Sequence, residues 1–477
     1  MALAAAFAFR KLDDFDTWWH LAAGRFIAIH RTVPATDVLS HTVRDHAWVN
    51  LQWAFDVAIY ALYAAGGPVL LSIVAACGFT LSSWLLLRLV RPHVGHTAGA
   101  LLVLAVVLVA QDRFNVRPEM VSFPLLLAVL AILEEARHDS GRGAWRLVPV
   151  MVLWVNVHAL FIVGAFAIAV AVAGSYSRRL ASWGLAAIGL TIVNPFGWRG
   201  AIFPAKLLSR IDRSHPAFQS IAEFRSPFEP DVFGTSAAVY KVVLVTGIAV
   251  VAAAWIVIWS NRERDGRRLA DFDLGGLAFF GGLAVLSILA RRNLALFAFG
   301  AAPLIARSLA TVAGRAPVTW RAMLRRVEPG AALGLVLGSS ILAALVVTGW
   351  FYRWDDQTRE FGGGVIDGMF PIRAAAFALE THLPGKIYND LAAGGYLAWD
   401  DPVGDGVFVD GRLEVYDTAF FSDYVGAMYD HVLWDAAALR YDVQTVFLFH
   451  HGRTADNSCS VSWPRRRGLW STPTSPR

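Results

Sequence analysis

The sequence predicts a polytopic α-helical membrane protein with about eleven membrane segments and a small α/β domain at its C-terminal end, outside the membrane. Three observations lead there. Hydrophobic residues make up 56% of the 477 positions and charged residues only 17%, with 18 Trp, which excludes an ordinary soluble domain. Runs such as 68–90, 235–260 and 331–351 reach the ~20 residues a helix needs to cross a ~30 Å hydrocarbon core. Lys and Arg gather in short loops that alternate with longer, less basic ones.

The segments fall near 1–9, 69–90, 97–111, 118–134, 147–157, 159–174, 181–194, 236–259, 273–290, 294–312 and 331–351. The first is too short for a span. It lacks the basic start and small-residue cleavage site of a signal peptide, so it reads as a truncated helix. Segment 47–66 carries Asn50, Gln52 and Asp56 and reads as an amphipathic helix lying on the membrane. Asn156-Val157-His158 interrupts an apolar run and suggests one broken helix, with hydrogen bonds between helices or a polar cavity as its reason.

Orientation follows from the cations. The short loops holding Arg88/Arg91, Arg137/Arg142/Arg146, Arg178/Arg179, Arg262/Arg264/Arg267/Arg268 and Arg315/Arg321/Arg325/Arg326 carry Lys or Arg at about one position in four, against about one in eight opposite. The basic loops are therefore cytoplasmic. Loops 10–68 and 195–235 and everything after 351 lie outside. The net charge of +5 is a property of these loops, and no nucleic-acid partner is implied. Cys77 and Cys459 make no zinc or redox motif.

On this reading residues 1–351 form the membrane domain and 352–449 the outer α/β domain. Within the latter, 372–383 reads as helix, 386–389, 407–410 and 443–449 as strands, and 419–439 as largely helical. The tail 450–477 loses periodicity, turns basic and Ser/Pro-rich, and reads as disordered or as the product of an altered frame.

The chemistry-bearing residues cluster outside. Asp13-Asp14-Phe15-Asp16-Thr17-Trp18-Trp19-His20 crowds three carboxylates that call for a cation. Asp16 and His20, four apart, share a helix face that could meet a metal or a polar substrate. Equally, Asp could cap an interfacial helix, with Trp18 and Trp19 in the aromatic belt. In 112–119, Pro118 suits a first helical turn. Glu119 then faces a site, or pairs with Arg117. Arg291 and Arg292 break the positive-inside trend and suit a lipid phosphate, with headgroup snorkelling as the alternative. Glu223 follows an amphipathic stretch at 220–224. Residues 389–396 read as a glycine-bearing turn between strands.

The block Asp16-Thr17-Trp18-Trp19-His20-Leu21-Ala22-Ala23-Gly24-Arg25, with Pro34, Asp37, Ser40-His41-Thr42 and Trp48-Val49-Asn50, resembles the first external loop of the GT-C membrane glycosyltransferases, more narrowly a bacterial group related to that superfamily. The segment 113–119 stands where such enzymes carry a second acidic motif. Ser220-Ile221-Ala222-Glu223 is similar to the external-loop motif of oligosaccharyltransferase catalytic subunits, and Tyr388-Asn389-Asp390 with Gly394-Gly395-Tyr396 distantly resembles their C-terminal motif.

The resemblance implies sugar transfer from a polyprenyl-phosphate lipid to a glycan, lipid or protein acceptor at the outer face of a bacterial cytoplasmic membrane. It implies catalytic roles for Asp16, Asp14 and Glu119. Substrate would be bound by His20, Arg117, Glu223, Arg291 and Arg292, and a divalent metal (Mg or Mn) by Asp16, Glu119 and Glu223. A transporter or flippase would want ionisable groups at mid-membrane and an inverted repeat, whereas here they cluster at one face. A non-catalytic scaffold is the third reading.

Overall fold

The computed structural model describes residues 1–174, 177–210, 222–261, 273–401 and 403–448. The loop with Arg262–Arg268, the residues Ser220 and Ile221, and the tail 450–477 lie outside the described residues. The chain is mostly helical and forms two compact units. One comprises Met1–Thr36 and Ala47–Phe370, the other Asp37–His46 and the described part of Pro371–Arg477.

Residues 352–370, which composition groups with the C-terminal domain, thus belong to the first unit. Backbone hydrogen bonds hold them there: the Lys11 N–H donates to the Glu360 carbonyl at 2.9 Å and the Leu12 N–H to Gly364 at 2.8 Å. Composition carries no trace of such pairing.

The first unit contains α1 (Ala2–Ala8), α2 (Asp16–His30), α3 (Trp53–Ala110), α4 (Glu119–His138), α5 (Leu147–Val155), α6 (Phe161–Ala173) and α7 (Arg178–Gly189). It continues with α8 (Trp198–Arg210), α9 (Thr235–Ser260), α10 (Leu274–Leu289), α11 (Leu294–Arg315), α12 (Val318–Val347) and α13 (Trp350–Trp354). Among the described residues, four stretches are long and apolar enough to cross a membrane: Trp53–Arg113, Thr235–Ser260, Arg291–Arg315 and Arg326–Val347. These make it a membrane protein. The last buries almost none of its surface in the protein, as a lipid-facing helix does.

The stretch α3 is helical throughout except at Gly66, Gly67 (φ 61°) and Gly95 (φ 82°). Glycine accepts a positive φ that other residues resist. The expected segments 69–90 and 97–111 follow these breaks. Segment 47–66 is helical only from Trp53, and its Asn50 and Asp56 are buried inside the protein, which corrects the reading of an amphipathic helix lying on the membrane. Helix α2 packs so closely on α3 that a Cβ on Gly24 would lie 2.1 Å from the Asp56 carbonyl oxygen. At the break between α5 and α6, Asn156 accepts from Trp53 Nε1 at 2.9 Å and donates to the Val193 carbonyl at 2.8 Å. His158 Nδ1 lies 2.8 Å from Ser122 Oγ, which accepts from Trp154 Nε1 at 2.9 Å. These polar groups join helices.

The second unit holds a two-stranded parallel sheet of β1 (Lys386–Asn389) and β2 (Val443–Phe447). Around it are α14 (Ile372–Glu380), α15 (Leu391–Asp400), α16 (Thr418–Tyr429) and α17 (His431–Arg440). The expected strand 407–410 forms only an isolated bridge, Val407 to Ser40. Side chains satisfy its backbone instead: Asn389 Oδ1 accepts from the Phe408 N–H at 2.8 Å and Tyr416 Oη from the Asp410 N–H at 3.1 Å. The expected turn at 389–396 is a helix start, capped by Asp390 accepting from the Ala393 N–H at 2.7 Å. The stretch 419–439 divides at Asp430, whose carboxylate caps α17.

A wholly buried ion triad draws Asp37–His46 into this unit. Arg412 donates to Asp410 through Nη2 at 2.6 Å and Nε at 2.9 Å, and also pairs with Asp37. Removing one member of a buried ion group strands the rest and costs about 3–5 kcal/mol. Arg412→Met is therefore expected to lower the thermal midpoint and to speed tryptic cleavage after Arg44. Unchanged stability and cleavage would show that the triad does not hold the segment.

Candidate functional site

The three carboxylates ahead of α2 go three ways. Asp13 turns to Arg359 Nε at 3.2 Å and stands 3.7 Å from Arg10 Nε. Asp14, 4% exposed, accepts from one edge of Arg117 through two nitrogens, Nε and Nη2, the latter at 2.8 Å. It also accepts from Asn115 Nδ2 at 2.7 Å and from the Asp16 N–H at 3.0 Å. Asp16 opens α2. Its Oδ2 lies 2.9 Å from Arg117 Nη2, and its side chain keeps 27% of its surface exposed.

The loop 111–118 supplies the cations. Phe114 stacks on Phe79 at 4.4 Å, and the Thr17 hydroxyl donates to the Val116 carbonyl at 3.3 Å. Those contacts fix the loop beside the start of α2. Arg113 Nη1 donates to Glu223 Oε1 at 2.7 Å, and its Nη2 pairs with Glu119 at the start of α4. Arg117 Nη1 donates to the same Glu223 oxygen at 3.1 Å. Arg292 is exposed and lies over the Phe224 ring at 5.1 Å, with no ion pair to a described residue.

One network therefore joins Asp14, Asp16, Arg113, Arg117, Glu119 and Glu223, with Arg292 beside it through Phe224. Arg291 belongs to an adjoining group: it is 3.8 Å from Asp112, which accepts from Arg359 at 2.8 Å. Glu119 pairs with Arg113 and not with Arg117, the partner named in one of its two readings. His20 is not part of the network, and this corrects the shared-face reading. The face of α2 bearing His20 and Gly24 is buried on α3, where Asp56 takes His20 Nδ1 at 2.6 Å and Asn50 Nδ2 at 2.8 Å. Trp18 and Trp19 are likewise core residues, 2% and 4% exposed, and not an aromatic belt.

The shared arginines divide the carboxylates. Burial alone would raise Asp14, but the adjacent Arg117 and its hydrogen bonds hold it below the usual range. Burial also raises Glu223, yet Arg113 and Arg117 bring it down to about 2. Asp16 goes the other way. Burial and the charges of Asp14 and Glu223 outweigh Arg117 and raise it. Asp16 is thus the member that combines a partly exposed side chain with an elevated proton affinity, the profile of a general base.

The residues do not fit a divalent metal as arranged. Glu119 and Glu223 spend oxygens on Arg113, and Asp16 and Glu223 on Arg117. Among the described residues no three His, Cys, Asp or Glu side chains converge to hold an ion. Sequence reasoning passed over Arg113, Asn115 and Arg359. Arg113 stands in the same loop as Arg117, which is a usable signal. Arg359 reaches Asp13 across 346 positions, and nothing local announces it.

No family profile matches the chain, and no curated protein sequence matches it. Solved structures do. The apo oligosaccharyltransferase of Archaeoglobus fulgidus shares 11% identity over 93% of this chain and 68% of its own, with a TM-score of 0.59. The same organism's oligosaccharyltransferase in complex with Zn and sulfate gives 12% identity over 94% and 68%, with a TM-score of 0.57. At these identities the likeness is one of fold.

Two measurements test the electrostatics. A carboxyl whose folded pKa is depressed stabilises above its unfolded pKa and loses that contribution as pH falls. For Glu223 the window runs from about 4.5 down to about 2. Wild-type stability should drop across that window more steeply than Glu223→Gln stability. Asp16, raised, destabilises the fold above its pKa. At pH 7 Asp16→Asn should hold or raise the thermal midpoint while Asp14→Asn lowers it by several degrees. The reverse order would overturn the assignment.

Proposed function

We propose that this protein is a membrane glycosyltransferase that moves a sugar from a polyprenyl-phosphate-linked donor to an acceptor at the outer face of a bacterial cytoplasmic membrane. The observation that carries the reading is the pairing of unlike groups at one site. Asp16 has raised proton affinity and a partly exposed side chain. Arg292 is an exposed guanidinium, held over Phe224 and unpaired with any described carboxylate. The fold likeness to an archaeal oligosaccharyltransferase supports the same class of chemistry.

In this mechanism Asp16 accepts the proton of the acceptor hydroxyl or amide. The freed oxygen or nitrogen attacks the anomeric carbon from the face opposite the leaving group, so configuration inverts. The bond between that carbon and the phosphate oxygen breaks, and the phosphate departs with the electron pair. Arg292 meets the charge that develops on it, where a guanidinium can bind two phosphate oxygens at once. Asp14 and Glu119 act by positioning: they fix Arg117 and Arg113, which fix the loop. The long apolar helices provide the surroundings for the polyprenyl chain and membrane lipids.

The test is transfer from a labelled polyprenyl-phosphate sugar in membranes. Loss of a general base removes about 10²–10⁴-fold of rate, so Asp16→Asn should fall by that amount with little change in KM for the donor. Arg292→Gln should raise the donor KM about tenfold or more, the scale of a lost charged hydrogen bond. Equal transfer by wild type and Asp16→Asn would remove Asp16 from the chemistry. Donor flux across sealed vesicles without transfer would favour a flippase.

A further inference from the structure

We propose that Arg117 is the resident cation of this site: its guanidinium, rather than a divalent metal, is what Asp14, Asp16 and Glu223 are gathered around. The inference deepens the glycosyltransferase reading and rests on it for its meaning, though not for its test. Arg117 is reached by three carboxylates from two separate stretches of chain. Asp14 lies ahead of α2, Asp16 is its first residue, and Glu223 sits in the distant 222–224 turn. Nε and Nη2 go to Asp14, Nη2 also to Asp16, and Nη1 to both oxygens of Glu223 at 3.1 and 3.4 Å. Every donor edge of the guanidinium faces a carboxylate. Arg113 repeats the arrangement between Glu119 and Glu223.

Ligand geometry separates the two kinds of cation. Mg²⁺ wants oxygens at ~2.0–2.1 Å and Ca²⁺ at ~2.3–2.6 Å, all converging on one point. A planar guanidinium spreads its partners around its rim, and the Asp16 and Glu223 oxygens stand 2.9–3.4 Å from its nitrogens. Asp14 has no oxygen to spare, since Asn115 and the Asp16 backbone take what Arg117 leaves. Charge is close to balanced too. Asp14, Asp16, Glu119 and Glu223 contribute −4, and Arg113, Arg117 and the neighbouring Arg292 contribute +3. A divalent ion would have to displace Arg117 and strand a charged side chain beside α2. Because arginine stays protonated at all accessible pH values, the cation of this site cannot be stripped by a chelator.

The test uses the full chain in lipid nanodiscs, freed of metal and titrated with Mn²⁺. Wild type should bind no stoichiometric Mn²⁺ below 1 mM, and EDTA should leave its thermal midpoint unchanged. Arg117→Gln should lose several degrees, recover part of them with Mn²⁺, and bind Mn²⁺ at least tenfold more tightly than wild type. One equivalent of Mn²⁺ on wild type, lost in Asp16→Asn, overturns the proposal. So does an Arg117→Gln protein that is as stable as wild type and indifferent to Mn²⁺. If Arg117→Gln does not fold, the wild-type titration alone decides. A wild type that neither transfers sugar nor binds Mn²⁺ would defeat the functional reading and leave Arg117 as the resident cation.

Discussion

The first unit's loops are organised by the contact of one guanidinium, Arg117, with three carboxylates from two distant segments. A largely buried charge is tolerated only where partners satisfy most of its donors. Here that requirement fixes the approach to α2 through Asp14, its first turn through Asp16, and the 222–224 turn through Glu223. Arg113 adds the start of α4 through Glu119. Loops otherwise free to vary over a membrane protein's surface are thereby tied to one another and to helix ends. The hydrophobic segments determine which residues enter the bilayer. The arginines determine which residues meet beside it.

The same contact gives identical side chains unlike properties. Asp14 and Asp16 are two positions apart and both touch Arg117. Asp14 takes two nitrogens of the guanidinium and an amide donor, and its proton affinity is lowered. Asp16 meets a single nitrogen, stands near two other negative charges, and its proton affinity is raised. An acidic cluster is thus not a set of equivalent candidates. How the arginine's donors are shared out decides which carboxylate can take a proton during a reaction.

Much of this was legible beforehand, for definite reasons. Helices such as 235–260 and 294–315 announce themselves by length and apolarity, and the breaks in α3 fall at glycines that separate apolar runs. Of the residues expected to converge, Asp16, Glu119 and Glu223 meet through Arg113 and Arg117 with Arg292 beside them over Phe224, whereas Arg291 turns to Asp112. Partner choice was not legible. His20 reads as a neighbour of Asp16 by helical spacing, but the tight approach at Gly24 turns its face into α3, where Asp56 waits. Arg359 belongs with Asp13 and Asp112 through a tertiary pairing that leaves no periodic mark. The first loop also divides its loyalties. Asp37 lies in the same sequence block as Asp16 yet is buried on Arg412 in the second unit, so resemblance along that block mixes residues for chemistry with residues for folding.

A site built this way separates fixed charge from adjustable charge. Arg113 and Arg117 hold their protons under all conditions, and Glu223 and Asp14 are kept ionised by them, so these groups form a constant field. Asp16 alone sits where its ionised form is disfavoured, which destabilises the folded protein slightly at neutral pH. Such local cost is characteristic of groups retained for reactivity and not for stability. A metal at the same place would pull Asp16 down with the others and remove the difference. Arg117 offers Asp16 only one nitrogen, and that partial claim is what leaves its partly exposed side chain able to receive a proton.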